Sequence, residues 1–349
     1  MMADKPQAKL RFLCFGIGAI GTYIGGSLLL SGQRVVFVER PWVAKNIHNS
    51  GLKLKRSTKE ELISEPEVVS SIDEALTRGP FDVAIFAVKS YDTQTLVDSL
   101  VPYTVALPSF LCLQNGVGNE AILANAFGDT RVIPGTVTTA ISKRGAGDVV
   151  VERLRGMGVA ATHPLSATLV DVLNCANLRA SLYPNPAGMK WSKMLTNLLA
   201  NASSAILDMT PAQIFNHPGL YRLEILQLRE SLKVMAAQKI PVCDLPATPV
   251  RAMALIAKSL PIAISRPLLA RAVGRGRGEK MPSFHVDLYG GSEKSEVGYL
   301  NGAVVRAGDR LGVATPVNRL LNLTLQSLVD HSIPKYAYAH QPEKLLALL

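Results

Sequence analysis

The sequence predicts an α/β N-terminal domain built on a doubly wound parallel sheet, followed by an all-α C-terminal domain. Three observations predict it. A glycine-rich turn, Gly16-Ile17-Gly18-Ala19-Ile20-Gly21, separates a strand-like apolar run over 10–15 from a helix-like run over 19–30. Further strand-like runs alternate with helical segments, the order that gives parallel sheets. From about residue 185 the pattern turns helical and stays so.

In chain order, the first helix stops at Ser31-Gly32 and a second strand covers 34–38. A strand over 82–88 enters a helix from about 92, and a strand over 110–114 enters a helix from about 119. Two strands, over 132–139 and 148–153, are expected to be joined by a Gly-rich hairpin around 143–147, with another strand over 158–161. These would extend the sheet in antiparallel fashion. Tyr183-Pro184-Asn185-Pro186 suits a linker into a helix, so the expected domains are 1–184 and 185–349. Helices are expected near 187–206, 211–216, 218–238, 246–259, 261–273, 283–290, 295–311 and 316–329.

With 349 residues, 48% hydrophobic and 18% charged, the chain exceeds one usual core and excludes the disordered class. The four cysteines, Cys14, Cys112, Cys175 and Cys243, form no C-x-x-C pair, so neither a disulfide framework nor a metal site is expected. A reducing cytoplasm fits best. The net charge of +10 is concentrated: Arg251, Lys258, Arg266, Arg271, Arg275, Arg277 and Lys280 face one acid, Glu279. Residues 12–33 carry no charge, yet Gly16, Gly18, Gly21, Gly25 and Gly26 interrupt the run, which argues against a membrane anchor. Arg266 and Arg271 lie in an apolar stretch that reads as core-packing helices, and Gly274 to Lys280 as a basic, flexible loop.

The turn at Gly16, Ile17, Gly18, Ala19, Ile20 and Gly21 has the G-x-G-x-x-G spacing, lying between a strand and a helix. Its glycines allow a tight turn, close approach of backbone to a pyrophosphate, and close packing of helix on strand. The helix N-terminus adds an anion site. This is the Rossmann-like arrangement. The acid Glu39 ends the second strand, where an acid suits the ribose of NAD; the adjacent Arg40 suits the 2′-phosphate of NADP, or else is a solvated helix-start residue. NADP (NADPH) is favoured over NAD. Ligands bind such sheets at the carboxyl ends of strands, which here carry Lys89 and Gln114-Asn115-Gly116-Val117-Gly118. Lys89 also reads as a solvated cation, and Asn115 as a residue bonding its own turn.

In the second half, Lys193, Asn197 and Asn201 recur at i, i+4 and i+8 and would share one helix face, while Trp191, Met194, Leu195, Leu198 and Leu199 cover the rest. The stripe reads either as a solvent face or as a catalytic one. A lysine facing an apolar surface loses hydration, and its pKa falls toward the range in which it donates a proton near neutrality. Reduction of a ketone needs such a proton at the developing alkoxide. Ser283 reads as a helix N-cap and Glu296 as a first-turn acid complementing the helix dipole, unless each contacts substrate.

The glycine turn, the Gln114-Asn115-Gly116-Val117-Gly118 loop, Trp191-Ser192-Lys193-x3-Asn197-x3-Asn201, Pro282-Ser283 and Ser295-Glu296-Val297-Gly298-Tyr299-Leu300-Asn301-Gly302 occur in that order over nearly the whole chain. The sequence resembles the ketopantoate reductase family. The resemblance implies Lys193 as general acid, Asn197, Asn201 and Ser283 as keto-acid ligands, and Glu296 against a substrate hydroxyl. It implies Asn115 and Lys89 near the cofactor. The expected activity is NADPH-dependent reduction of 2-dehydropantoate to D-pantoate, in pantothenate biosynthesis, with no metal and with a homodimer admitted. A different 2-keto acid is the alternative, because Asp208 and its neighbours depart from the family's turn. A nucleotide-sensing, nucleic-acid-associated protein using the basic 251–280 segment is the minor one.

Overall fold

A computed structural model describes residues 8–57, 59–277 and 280–349, and describes no side chains over 271–279. The elements of the first half are β1 (Arg11–Phe15), α1 (Ala19–Leu30), β2 (Arg34–Val38), α2 (Pro41–Ser50), β3 (Leu52–Arg56), β4 (Lys59–Ile63), β5 (Glu67–Val69) and α3 (Ile72–Thr77). They continue with β6 (Val83–Phe86), α4 (Thr93–Leu100), β7 (Ser109–Cys112), α5 (Asn119–Phe127), β8 (Val132–Val137), β9 (Ala140–Gly145), β10 (Asp148–Arg153), β11 (Met157–Ala160), α6 (Ser166–Cys175) and β12 (Ala180–Tyr183). The rest is helical: α7 (Pro186–Leu198), α8 (Asn201–Leu207), α9 (Pro211–Asn216), α10 (Pro218–Ala237), α11 (Val250–Ser259) and α12 (Ile262–Arg277). Then come α13 (Ser283–Tyr289), α14 (Asn301–Leu311), α15 (Pro316–Val329) and α16 (Pro342–Leu346).

The chain divides into two compact units. The first takes the described residues up to Gln114, together with Gly118–Lys190 and Leu245–Thr248; the second takes Asn115–Val117, Trp191–Asp244 and Pro249–Leu349.

In the first unit an eight-stranded sheet runs β12-β11-β8-β7-β6-β1-β2-β5. Every pair in it is parallel except β8 with β11. Strand residues alternate between two apolar cores because successive side chains point to opposite faces. Phe12 and Cys14 face the core that contains Ile24, Leu28, Leu54 and Leu173. Leu13 and Phe15 face the other, with Val97, Leu100 and Leu123. Cys14 and Cys112 are fully buried, and burial pushes both thiols well above the ordinary range, so they act as small hydrophobes.

The expected hairpin between 132–139 and 148–153 is corrected. Strand β10 pairs instead with β9, across Ala146-Gly147, and with β3, which pairs with β4. These four strands form a separate sheet, while β8 stays in the large one. Strands β4, β5 and β12 are short or charged runs with little apolar periodicity, which hid them, whereas β3 alternates Leu52-Lys53-Leu54-Lys55 but is only five residues long and carries three cations.

In the second unit, proline at the first helical position starts α9, α10 and α15, where its missing N–H costs nothing. Thr210 and Gln213 close a capping box on α9. Leu195, Leu198, Ile206, Leu207, Tyr221, Leu228, Val304, Leu321 and Leu325 are at most 1% exposed and form its interior. The expected loop over 274–280 is helical as far as Arg277, while Gly278 and Glu279 lie outside the described residues. Leu255, Ile264 and Leu268 are exposed, so α11 and the first part of α12 are not core-packing on that face.

The expected helix over 187–206 is two helices. Helical order in α7 ends at Leu198, Leu199 and Ala200 form a turn in which Ala200 adopts φ +49°, and Asn201 opens α8. An alanine in the left-handed region costs about 1 kcal/mol. The Ala200 N–H donates to the buried Glu224 carboxyl at 2.7 Å, which also accepts from the Ser203 hydroxyl and the Gln227 amide. Several buried hydrogen bonds at about 1 kcal/mol each offset that strain.

Candidate functional site

In the first unit, the Gly16–Gly21 turn leads into α1 with Gly18 at the N-cap, no side-chain cap and no acid in the first turn. The first N–H groups are therefore open to an anion. A Cβ built on Gly21 would stand 1.9 Å from the Gly16 carbonyl oxygen, so helix and turn approach too closely for any other residue. A Cβ on Gly18 would meet nothing within 4 Å, so open space lies beside the backbone there, as close approach of a pyrophosphate would require. The turn thus fits a dinucleotide.

Glu39, at the end of β2, uses both carboxyl oxygens on backbone: Oε2 accepts from Ile17 N–H at 2.8 Å and Oε1 from Arg40 N–H at 2.9 Å. Arg40 is the exposed N-cap residue of α2, and its guanidinium lies 3.8 Å from the Asp92 carboxylate. Lys89 is half-buried just after β6 and precedes the 3₁₀ turn Ser90–Asp92.

Sequence reasoning missed the groups that hold the carboxyl-end loops in place. Gln114 Nε2 donates to Val88 O and Thr93 Oγ1, Thr93 donates to Asn119 Oδ1, and Asn119 Nδ2 donates to Ser90 Oγ. Lys190 is buried and donates to Gln114 O at 2.7 Å and Gly135 O at 3.2 Å, and pairs with Glu120 at 2.8 Å. Burial is the largest single influence and opposes its charge, but the attraction and hydrogen bond of Glu120, together with Cys112, raise its pKa above the ordinary lysine value. A second lysine three residues before Lys193 was the only signal for it, and charge spacing alone does not tell a buried lysine from an exposed one.

In the second unit, α7 and the Asn115–Val117 loop form a hydrogen-bonded chain. Lys193 Nζ donates to Asn197 Oδ1 at 2.8 Å, and Asn197 Nδ2 donates to Asn115 Oδ1 at 3.0 Å. All three are half-buried, while Trp191, Met194, Leu195 and Leu198 behind them are buried. Gly116 takes φ +79°, and a Cβ there would lie 2.4 Å from Tyr299 O. Val117 N–H donates to that same carbonyl. Tyr299 ends the 3₁₀ turn Glu296–Tyr299, so the loop rests on the turn that carries Glu296. Glu296 is 3% exposed, and Ser295 caps its turn through Val297 N–H.

Asn201 does not continue the Lys193–Asn197 stripe, because the break at Ala200 comes between. Its Oδ1 accepts from Phe284 N–H at 3.1 Å and its Nδ2 donates to Ser283 Oγ at 3.4 Å. Ser283 is the first residue of α13, with Pro282 at the N-cap, so the N-cap reading of Ser283 is corrected. Asp208 closes α8 at φ +51° and its Oδ1 lies 2.7 Å from His285 Nε2. His285 stacks on Tyr289, whose phenol is pushed up to about 12 by burial and then by Asp208.

Among the described residues, no group of three or more His, Cys, Asp or Glu side chains could hold a metal ion, and no helix is long and apolar enough to cross a membrane.

The family described as "Ketopantoate reductase PanE/ApbA" matches residues 12–162, and "Ketopantoate reductase PanE/ApbA C terminal" matches residues 185–328. The 2-dehydropantoate 2-reductase of Archaeoglobus fulgidus is 27% identical over 326 residues, covering 90% of this chain and 96% of that protein. A crystal structure of a PanE/ApbA family ketopantoate reductase from Ralstonia eutropha JMP134 superposes with a TM-score of 0.77 at 26% identity, over 92% of this chain and 99% of that one. D-mandelate dehydrogenase, in a ternary structure with NADH and anilino(oxo)acetate, shares the fold at a TM-score of 0.74 and 22% identity, over 92% of this chain and 99% of that one. Fold and relatives define an NAD(P)-dependent oxidoreductase acting on CH–OH groups. The chain belongs to the ketopantoate reductase family.

Proposed function

We propose that this enzyme reduces 2-dehydropantoate to D-pantoate with NADPH. The observation that carries the proposal is the Lys193–Asn197–Asn115 chain, a lysine hydrogen-bonded to an uncharged amide in a half-buried setting within a chain of this family. In this reading residues 1–184 hold the dinucleotide and 185–349 bind the keto acid. Gly16, Ile17, Gly18, Ala19, Ile20 and Gly21 would hold the pyrophosphate, with Arg40, Lys89 and Asn115 as further cofactor contacts. A nicotinamide dinucleotide held there would supply the hydride that the reduction needs.

Lys193 Nζ gives its proton to the keto oxygen as negative charge develops there. Asn197, Asn201 and Ser283 orient the acid by hydrogen bonds that add no charge, and Glu296 receives a substrate hydroxyl. Engagement of both Glu39 oxygens by backbone N–H groups supports NADPH over NADH, because it leaves Arg40 as the exposed charged group at the end of β2. The free cysteines suit the reducing cytoplasm as its place of work.

A second reading keeps the reaction and changes the acid. The Asp208–His285 contact at the end of α8 favours it, since it stands where the family's turn was expected.

Initial rates of NADPH and NADH oxidation with 2-dehydropantoate and a panel of 2-keto acids test both readings. Preferred turnover of 2-dehydropantoate with NADPH is expected, and Lys193→Ala should lower kcat by about a hundredfold or more. Faster turnover of another keto acid would select the second reading. A Lys193→Ala loss below about tenfold would remove Lys193 as the acid.

A further inference from the structure

We infer that Glu224 is a positioning residue for the keto-acid site, holding the helix break that sets Asn201 against α13; the inference rests on the reading of Asn201 as a keto-acid ligand. Had α7 run on, Asn201 would follow Lys193 and Asn197 along one face, one further turn down. It does not, because Leu199 and Ala200 form a turn and Ala200 lies at φ +49°. Glycine or asparagine adopts that conformation readily, and alanine does not. A side chain from elsewhere must therefore secure it.

The two residues that do so come from α10. Glu224 is fully buried, and one of its oxygens accepts from Ala200 N–H at 2.7 Å and from Gln227 Nε2 at 2.5 Å. The other accepts from the Ser203 hydroxyl at 2.5 Å, in the first turn of α8. Gln227 Nε2 also donates to Leu198 O, the last carbonyl of α7, at 3.3 Å, and its Oε1 accepts from Asn301 Nδ2. The carboxyl-terminal end of one helix and the amino-terminal end of the next are thus gripped by adjacent side chains of a third. The residue immediately after the gripped Ala200 is Asn201, which meets Phe284 N–H and Ser283 Oγ. With 0% exposure Glu224 stays out of reach of a substrate, so it acts through the backbone.

The test compares Glu224→Ala, Glu224→Gln and the double variant Glu224→Ala/Ala200→Gly in steady-state kinetics per active site, using whichever 2-keto acid the wild type turns over fastest. Glu224→Ala should raise KM for the keto acid by about tenfold while leaving KM for the dinucleotide within about twofold. Glu224→Gln, whose amide oxygen still accepts from Ala200 N–H, should recover most of that loss. Glycine at 200 needs no holder, so the double variant should recover it as well. A uniform loss of folded protein with both KM values unchanged, or a double variant no better than Glu224→Ala, overturns the inference. If Glu224→Ala does not fold, the double variant and Glu224→Gln decide: a keto-acid KM raised by about tenfold in both overturns it. A crystal structure of Glu224→Gln or of the double variant that retains the Asn201 contact with Phe284 N–H supports it whatever the substrate; loss of that contact in both overturns it. Failure of 2-dehydropantoate as a substrate would instead remove only the reading of function.

Discussion

Two places where the backbone leaves regular structure shape the two halves of this enzyme, and they are written in different ways. At Gly16–Gly21 the chain turns between β1 and α1 by means of glycines, and Gly21 is required because a side chain would strike the Gly16 carbonyl. At Leu199-Ala200 the chain breaks between α7 and α8 without a glycine, and the conformation is held by Glu224, 24 residues away in sequence. The first device is local, so its residue types announce it. The second is tertiary, and no residue near the break signals it.

The sharpest way to test this contrast is at Gly21. Gly21→Ala should destabilise the first unit by about 3 kcal/mol or more, because its Cβ would stand 1.9 Å from a backbone oxygen that cannot yield cheaply. Gly18→Ala, with open space around it, should leave denaturant stability nearly unchanged and weaken dinucleotide binding. Equal stability of the two variants in urea would refute the steric account of Gly21.

A smaller effect separates alanines on the two sides of the break. Ala200 and Ala202 are both fully buried, but only Ala200 is left-handed. Ala202→Gly, inside α8, should lose about 1.5 kcal/mol from helix propensity and the buried methyl. Ala200→Gly loses the same methyl but relieves about 1 kcal/mol of left-handed strain, so it should be close to neutral. Thermal unfolding of both variants measures this, and a larger loss at 200 than at 202 would count against strain at the break.

The smallest effect is expected at an exposed ion pair in the first unit, where Glu67 of β5 receives Arg34 of β2 through two 3.1 Å contacts and lies 3.6 Å from Arg78. The Arg34 hydrogen bond holds the Glu67 carboxyl below its ordinary value of 4.5. An acid whose folded pKa is depressed stabilises the fold above that ordinary value, and the contribution disappears as pH falls through the folded pKa. These side chains are 36 to 45% exposed, so screening keeps the contribution below about 1 kcal/mol. Glu67→Gln should therefore lower Tm slightly at pH 7, and progressively less as pH falls below 4.5; the same difference at every pH would exclude the ion pair as its cause.

The legibility of the site follows the same division. Helix α1, from Ala19 to Leu30, and strand β2, from Arg34 to Val38, were readable to the residue because glycines punctuate them and their apolar runs are long. Lys193 and Asn197 were readable as a pair, because four residues place them on one face of a helix whose other side is apolar. Asn201 was named as a candidate site residue, but its geometry was not readable, because the helix break redirects it toward α13. Lys190 and the Gln114–Thr93–Asn119–Ser90 network were not readable, since nothing local distinguishes a polar side chain that binds backbone from one that meets solvent.

Taken by itself, the sequence determined the class of the fold and singled out the glycine turn between β1 and α1 and the candidate catalytic lysine, because glycine sterics and helical periodicity act over a few residues. Tertiary structure alone decided that β9 and β10 join β3 and β4 in a separate sheet, that Glu39 spends both oxygens on backbone N–H groups, and that α7 ends before Asn201. Each of those outcomes depends on a hydrogen-bond partner brought from a distance by packing, and a partner of that kind leaves no mark on the local pattern of residues.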